Sequence, residues 1–323
     1  MRDIPFSLAR RGLLATAAAP LLARAAGYPD KPVRIIVPYV PGGGADILAR
    51  YMAQMLTGAL GQPVIVDNRA GAGGLIGVDV GLASPADGSV LTLISSSYTV
   101  NPSLYKLKFD PVRDITPIGQ MSAGPLLVVV NPASPIRTIA DLVAAAKARP
   151  GEISYASSGQ GSALHLAAAQ FARRAGVQMN HIPYKGGGAA LTDVMSGQVD
   201  VYFAATASAL PHVEGGRLRA LAVTTTERIA SLPQVPTIAQ CGYPGYDVTL
   251  WYGLIGPKGL PAPIVQRINS EVGKILLLPA TAEKFKADGA MPAGGTPAAF
   301  GQRIATEIAA WHETVTALKI KVE

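Results

Sequence analysis

Two stretches of the chain follow one plan. Arg34 to Leu56, RIIVPYV-PGGG-ADILARYMAQML, and Ile153 to Arg174, ISYAS-SGQG-SALHLAAAQFARR, each run from a β-rich segment through a glycine loop into a helix with a regular apolar stripe. The first N–H groups of a helix have no carbonyl partner, and glycines let a ligand approach them closely, so each loop is a candidate anion cradle. Two cradles more than a hundred residues apart point to two lobes that close on one small anion.

The remaining β-rich runs support this architecture. Val33–Pro38, Val64–Asp67, Val90–Ile94, Leu126–Val130, Ile153–Ala156, Met179–Pro183, Val199–Phe203, Leu218–Thr224 and Val248–Ile255 alternate with segments of helical spacing. That alternation predicts an α/β fold with two mainly parallel sheets flanked by helices. After Pro261 the pattern is helical, with one stripe through Ile264, Ile268, Val272 and Ile275 and a longer one from Phe300 to Leu318. These helices need a sheet to cover. The most economical path places residues 26–124 and 249–323 in lobe one and residues 125–248 in lobe two, with the ligand cleft between them. In such sheets ligands sit beyond the carboxyl ends of the strands, where both glycine loops fall.

The amino-terminal residues suggest where the protein works. Arg2, Arg10 and Arg11 precede an apolar run from Gly12 to Leu22, and Ala23-Arg24-Ala25 supplies small residues for a signal peptidase. Residues 1–25 thus read as a cleaved export signal, with cleavage near Ala25 or Ala26 and either the twin-arginine or the general secretory route open. The apolar run is far short of the ~20 residues a membrane span needs. Removing the signal leaves roughly 298 residues, enough for two cores at ~100–200 residues each. Four arginines and one aspartate leave with it, so the formal net charge falls from +7 to +4. The remaining Lys and Arg are scattered, without the basic stripe that nucleic-acid binding requires. Cys241 is the sole cysteine and can form no internal disulfide.

Other chemistries fit poorly. Gly71, Gly73 and Gly77 miss the dinucleotide fingerprint by one position, and neither cradle has the lysine of a phosphate loop. The four histidines have no metal-ligand spacing, so no metal and no cofactor are expected. The one enzyme hypothesis worth stating is a serine hydrolase using Ser162 and His165, which are three apart at a helix start. Serines there are more often caps. A second echo follows the helices, because Pro63–Gly74 and Met179–Gly188 each pair a strand with polar residues and glycines. It brings Asn68-Arg69 and Tyr184-Lys185 to comparable rims of the cleft.

Several longer segments occur in this order: PYVPGGGAD (Pro38–Asp46), VDNRAGAGG (Val66–Gly74), NPSLY (Asn101–Tyr105), YASSGQGSALHL (Tyr155–Leu166), IPYKGG (Ile182–Gly187), GRLRALAVT (Gly216–Thr224), LPQVPT (Leu232–Thr237) and WYGLIGP (Trp251–Pro257). Together they resemble the periplasmic solute receptors of tripartite tricarboxylate transporters, the Bug or TctC type, across essentially the whole mature chain. The resemblance implies a monomeric two-lobed periplasmic binding protein of type 2 that closes over a small organic acid and delivers it to a membrane permease. It implies that one ligand carboxylate is held by main-chain amides and ordered water between the two glycine loops, Tyr39–Asp46 and Ser157–Ser162.

Carried onto this chain, the ligand-binding residues are Tyr39, Pro41, Gly42, Gly43, Asp46, Asn68, Ser95, Ser157, Ser158, Gly161, Ser162, His165, Tyr184, Ala204 and Trp251, with none catalytic. Within that set Asp46 suits a helix cap better than an anion contact, and His165 suits packing. The family often has an acidic residue after the phenylalanine of VYFA, where this chain has Ala204. If that position faces the pocket, a ligand ammonium lacks a partner, which favours di- or tricarboxylates and aromatic acids over amino acids. A periplasmic receptor that signals to a membrane sensor would use the same cleft.

Overall fold

The computed structural model describes residues 27–318, and the expected export signal lies outside the described residues. Two sheets share one long strand. In the first, β1 (Val33–Val37) lies between β2 (Val64–Asn68) and β3 (Val90–Ser95), and β9 (Thr249–Pro257) joins β3 to β4 (Ile115–Val130), whose other edge carries the short β10 (Met291–Pro292). In the second, the far half of β4 pairs with β7 (Val201–Ala205) on one side and β8 (Arg219–Val223) on the other. The sheet then continues through β5 (Ser154–Ser157) to β6 (Asn180–Pro183).

The α/β class and the alternation of strands and helices hold, but the sheets are mixed rather than mainly parallel. Strands β1, β2 and β3 are parallel, as are β5, β6 and β7, whereas every pairing made by β4 and β9 is antiparallel. The reason is topological. The chain crosses between the sheets on β4 and returns on β9, so the two strands run in opposite directions side by side, from Ile115↔Pro257 to Pro125↔Thr249.

Helices cover both faces of the first sheet. Leu48, Met52 and Leu56 of α1 (Gly44–Leu60) pack with Ile264, Ile268 and Val272 of α8 (Ala262–Leu276) over one face. Trp251, Phe300 and Ile304 fill the other face under α10 (Pro297–Leu318), beside Val78 of α2 (Leu75–Leu82). The second sheet has its own core, in which Val128 and Phe203 meet Leu142 of α4 (Ile139–Ala148), Phe171 of α5 (Ala163–Ala175) and Leu191 of α6 (Gly187–Met195). The helices α3 (Ser97–Val100), α7 (Thr206–Glu214) and α9 (Pro279–Ala287) complete the set.

At the junction of the two sheets a single hydroxyl connects three strands or their extensions. The buried Thr224 Oγ1 accepts from the Leu126 N–H at 2.8 Å and donates to the Val248 carbonyl at 2.7 Å. Its own backbone bonds reinforce the clip, because the Thr224 N–H donates to Leu126 and its carbonyl accepts from Val248. Pro125 has no N–H to offer at this point, and β4 changes partners there. Thr224→Val keeps the side-chain shape but leaves a buried N–H and a buried carbonyl each one partner short. Urea unfolding is expected to show a loss of about 1–3 kcal/mol.

Candidate functional site

The first cradle lies between β1 and α1 and is held from behind. Asp46, in the first turn of α1, accepts from the Gly42 N–H and from Arg50 Nε, both at 3.0 Å on Oδ2. Its Oδ1 accepts from Asn68 Nδ2 at 3.0 Å, and the same amide donates to the Tyr39 carbonyl at 3.0 Å. Burial alone would raise the Asp46 pKa, but the bonds from Arg50, Gly42 and Asn68, with the charge of Arg50, bring it below the ordinary value. Asp46 and Asn68 thus frame the loop and line neither of the chambers described below.

The second cradle, between β5 and α5, is held by imidazoles. The Gly161 N–H donates to His165 Nδ1 at 3.1 Å, and the Ser162 hydroxyl caps α5 by accepting from the His165 N–H at 3.2 Å. The His165 ring stacks on His181 of β6 with centroids 3.8 Å apart and planes within 3°, and Tyr155 continues the stack 4.9 Å from His181. Burial lowers the pKa of both rings, to about 3 for His165, where the neighbouring His181 contributes, and to about 4 for His181. Both are therefore neutral at pH 7.

His181 Nε2 lies 2.7 Å from the Ser157 hydroxyl, which gives its own proton to the Gly159 carbonyl at 3.0 Å. The tautomer assigned by this network makes His181 the donor and leaves it no lone pair toward the serine. Ser162 is bonded to the His165 backbone, not to its ring, so neither serine has the base a nucleophile needs.

The second cradle is bonded across the cleft. The Tyr105 hydroxyl donates to the Gln160 carbonyl at 2.9 Å, and the Ala163 N–H donates to the Ser97 hydroxyl at 2.9 Å, each bond passing from one lobe to the other. Leu166 of α5 adds an apolar contact with Val100 and Val315. Between the lobes lie two neighbouring chambers whose walls share Tyr39 and Ser158. The inner one is small, about 30 Å³, and the outer one is about 220 Å³.

Four helices begin at the inner chamber. Gly44 opens α1, Leu164 lies in the first turn of α5, Gly187 opens α6 and Ala205 immediately precedes α7, and all four residues line the wall. Each helix start presents the positive end of a dipole, although in α5 the Ala163 and His165 N–H groups are taken by the Ser97 and Ser162 hydroxyls. No lysine, arginine, aspartate or glutamate lines this chamber among the described residues, whereas Lys185 lines the outer one. Close approach requires glycine here. A Cβ on Gly44 would stand 2.9 Å from both the Tyr252 hydroxyl and the Ala205 methyl.

Of the residues expected from the sequence, Tyr39, Gly43, Ser95 and Ser158 line the inner chamber, with the Tyr39 and Ser95 hydroxyls 2.9 Å apart. Tyr184 lines the outer chamber and donates its hydroxyl to Asp193 at 2.5 Å. Ser157, Gly161 and Ser162 belong to the second loop, which His165 supports, and Pro41 and Gly42 belong to the first, and none of these residues lines either chamber.

Two expectations need correction. Trp251 is fully buried on the opposite face of β9, with Nε1 donating to Glu307 at 2.8 Å and its ring edge-on to Phe300 at 5.4 Å. Side chains alternate along a strand, so Tyr252 is the residue that reaches the cleft. Ala204 is fully buried in the second core, opposite Leu127, and Ala205 at the strand end lines the chamber instead. Sequence reasoning also missed Ser97, Gly187 and Tyr202. Only Gly187 carried a usable signal, a glycine run leading into another helical segment.

Two lobes joined by crossover strands, with several helix N-termini facing a neutral chamber, define a solute-binding protein of the periplasmic binding class. The family model described as the tripartite tricarboxylate transporter family receptor matches residues 48–320, and the chain belongs to that family. It is 39% identical over 313 residues to the protein BugT of Bordetella pertussis, covering 95% of this chain and 96% of that one. Among solved structures, an R. palustris protein with adipate is 33% identical with a TM-score of 0.88, covering 91% of this chain and 99% of the other. MatC from Rhodopseudomonas palustris with bound malate is 27% identical with a TM-score of 0.84, covering 89% and 100%.

The stacked imidazoles predict a pH dependence. Their folded pKa values lie below the ordinary 6.5, so the stability they contribute is complete above about pH 6.5 and is lost as pH falls toward 4. Urea midpoints measured from pH 7.5 to 4.5 should fall, and the fall should be smaller in a His165→Gln/His181→Gln double variant.

Proposed function

We propose that this chain is an extracytoplasmic receptor that binds a small organic carboxylate between its lobes and delivers it to the membrane permease of a tripartite tricarboxylate-type transporter. The observation that carries the reading is the convergence of four helix N-termini on a chamber with no charged side chain on its wall. Partial positive charge from main-chain dipoles attracts an anion, and lobe closure excludes water and strengthens each contact. Relatives solved with adipate and malate agree with that chemistry.

Several finer statements belong to this reading. Residues 26–124 with 249–323 form one lobe and residues 125–248 the other, hinged where β4 and β9 cross. The export signal is cleaved near Ala25 or Ala26, and the receptor works in the periplasm as a monomer without catalysing a reaction. Among the described residues no helix is long and apolar enough to cross a membrane, which fits a receptor that needs a separate permease.

No aspartate or glutamate lines either chamber among the described residues, so an amino acid's ammonium would find no partner. The ligand is therefore a di- or tricarboxylate or an aromatic acid. The preference follows from the whole lining rather than from Ala204.

Calorimetric titration of the purified mature protein with malate, adipate, citrate, benzoate and aspartate tests the reading. The expected result is saturable 1:1 binding of at least one acid other than aspartate, with no turnover. The bound acid should also protect the fold, by about 2.7 kcal/mol at 100 times its Kd. Tight binding of aspartate, or of none of the five, would count against it.

A further inference from the structure

The inner chamber contains one polar atom that the protein itself leaves unpaired. Tyr202, on β7, has no exposed surface, and its Oη has no hydrogen-bond partner. Nearly all buried polar groups in native proteins are bonded, so such an exception calls for a specific explanation. The side chain lines the chamber, and its Oη lies 3.0 Å from the point where a Cβ on Gly187, the first residue of α6, would stand. Tyr252, on β9, reaches in from the other side. Its Oη lies 2.9 Å from the equivalent point on Gly44, the first residue of α1. A Cβ on Gly43 would stand 3.5 Å from the Gly187 nitrogen, so the two helix starts are in contact range. Burial raises the pKa of both phenols, for Tyr252 with contributions from Tyr39 and Tyr202, and both hydroxyls keep their protons as donors.

The chamber sizes constrain what these donors could hold. At about 30 Å³ the inner chamber accommodates one end group and not a whole organic acid, and Tyr39 and Ser158, which also line the outer chamber of about 220 Å³, mark the side toward which the rest of a ligand would extend. That outer space has Lys185, the cationic side chain that lines either chamber among the described residues. A molecule with an anionic group at each end matches both places.

We infer that Tyr202 and Tyr252, one from each lobe, donate together to one carboxylate of a linear dicarboxylate, whose second carboxylate lies toward Lys185, and that Tyr202 is a specificity-determining residue. The inference rests on the carboxylate-receptor reading and adds the ligand's orientation and the residues that choose it. Because the two donors come from different lobes, their shared acceptor forms part of the closed state.

Calorimetry with succinate, glutarate and adipate, each against the monoacid of equal carbon number, provides the test. In the native protein at least one diacid should bind ten times or more tighter than its monoacid. Tyr202→Phe and Tyr252→Phe should each weaken that diacid on the order of tenfold, the scale of a charge-assisted hydrogen bond. Lys185→Gln should narrow the gap between diacid and monoacid.

The ligand-free thermal midpoint of Tyr202→Phe should stay level or rise, since the substitution removes a buried hydroxyl without a partner. A lower midpoint in that variant, unchanged diacid affinity in both tyrosine variants, or equal binding of mono- and diacids would overturn the inference. A native protein that binds monoacids alone would refute it while sparing the receptor reading. Binding of no acid at all would sink both.

Discussion

The pairing of β4 with β9 is the constraint on which the rest of the structure depends. These antiparallel strands run from Ile115↔Pro257 to Pro125↔Thr249, and β4 continues without interruption into the second sheet. The two covalent crossings thus leave the first sheet side by side, at Pro125 and Thr249. The clip at Thr224 sits where β4 changes partners. The crossings also fix which ends of which helices face one another between the two sheets. The starts of α1 on one side and of α5, α6 and α7 on the other arrive at the same place.

Charge is handled with the same economy. A carboxylate in the first turn of α1 could oppose an anion, yet the Asp46 oxygens are turned into the loop and used up by Gly42, Arg50 and Asn68. The second loop is supported by neutral imidazoles, so it adds no fixed charge. What remains at the chamber wall is a set of main-chain and hydroxyl donors. Such a wall holds an anion without the deep trap that a buried guanidinium would create, which suits a protein that has to release what it binds.

The order of strands and helices could be read from the sequence because most strands are short, largely apolar runs followed at once by proline or a polar residue, such as Pro38, Arg69, Ser96, Thr206, Thr224 and Lys258. The first half of β4 could not. Pro117, Gly119, Gly124 and Pro125 break its pattern, and the strand accommodates them through register shifts that no periodicity reveals. The two glycine loops were legible, and so was the place of Tyr39, Gly43, Ser95 and Ser158 on the chamber wall. Trp251 misled because Trp251 and Tyr252 look equally suited to line a pocket until the strand's facing is known, and that facing is set by Glu307 and Phe300 far along the chain. Ala204 misled by a single position, because β7 ends at Ala205 and the helix after it turns that residue toward the cleft. Asn68 had a legible place but not a legible partner.

Four helix starts around one small space have a consequence for motion. Each carries roughly half a positive charge, and drawing them together as the lobes close sets like charges against one another where little water screens them. The hydrogen bonds from Tyr105 and Ala163 across the cleft work against that repulsion. An anion between the helix starts reverses its sign. The solute then serves as the missing counter-ion of the closed protein, and a permease that draws it out removes the attraction holding the lobes together.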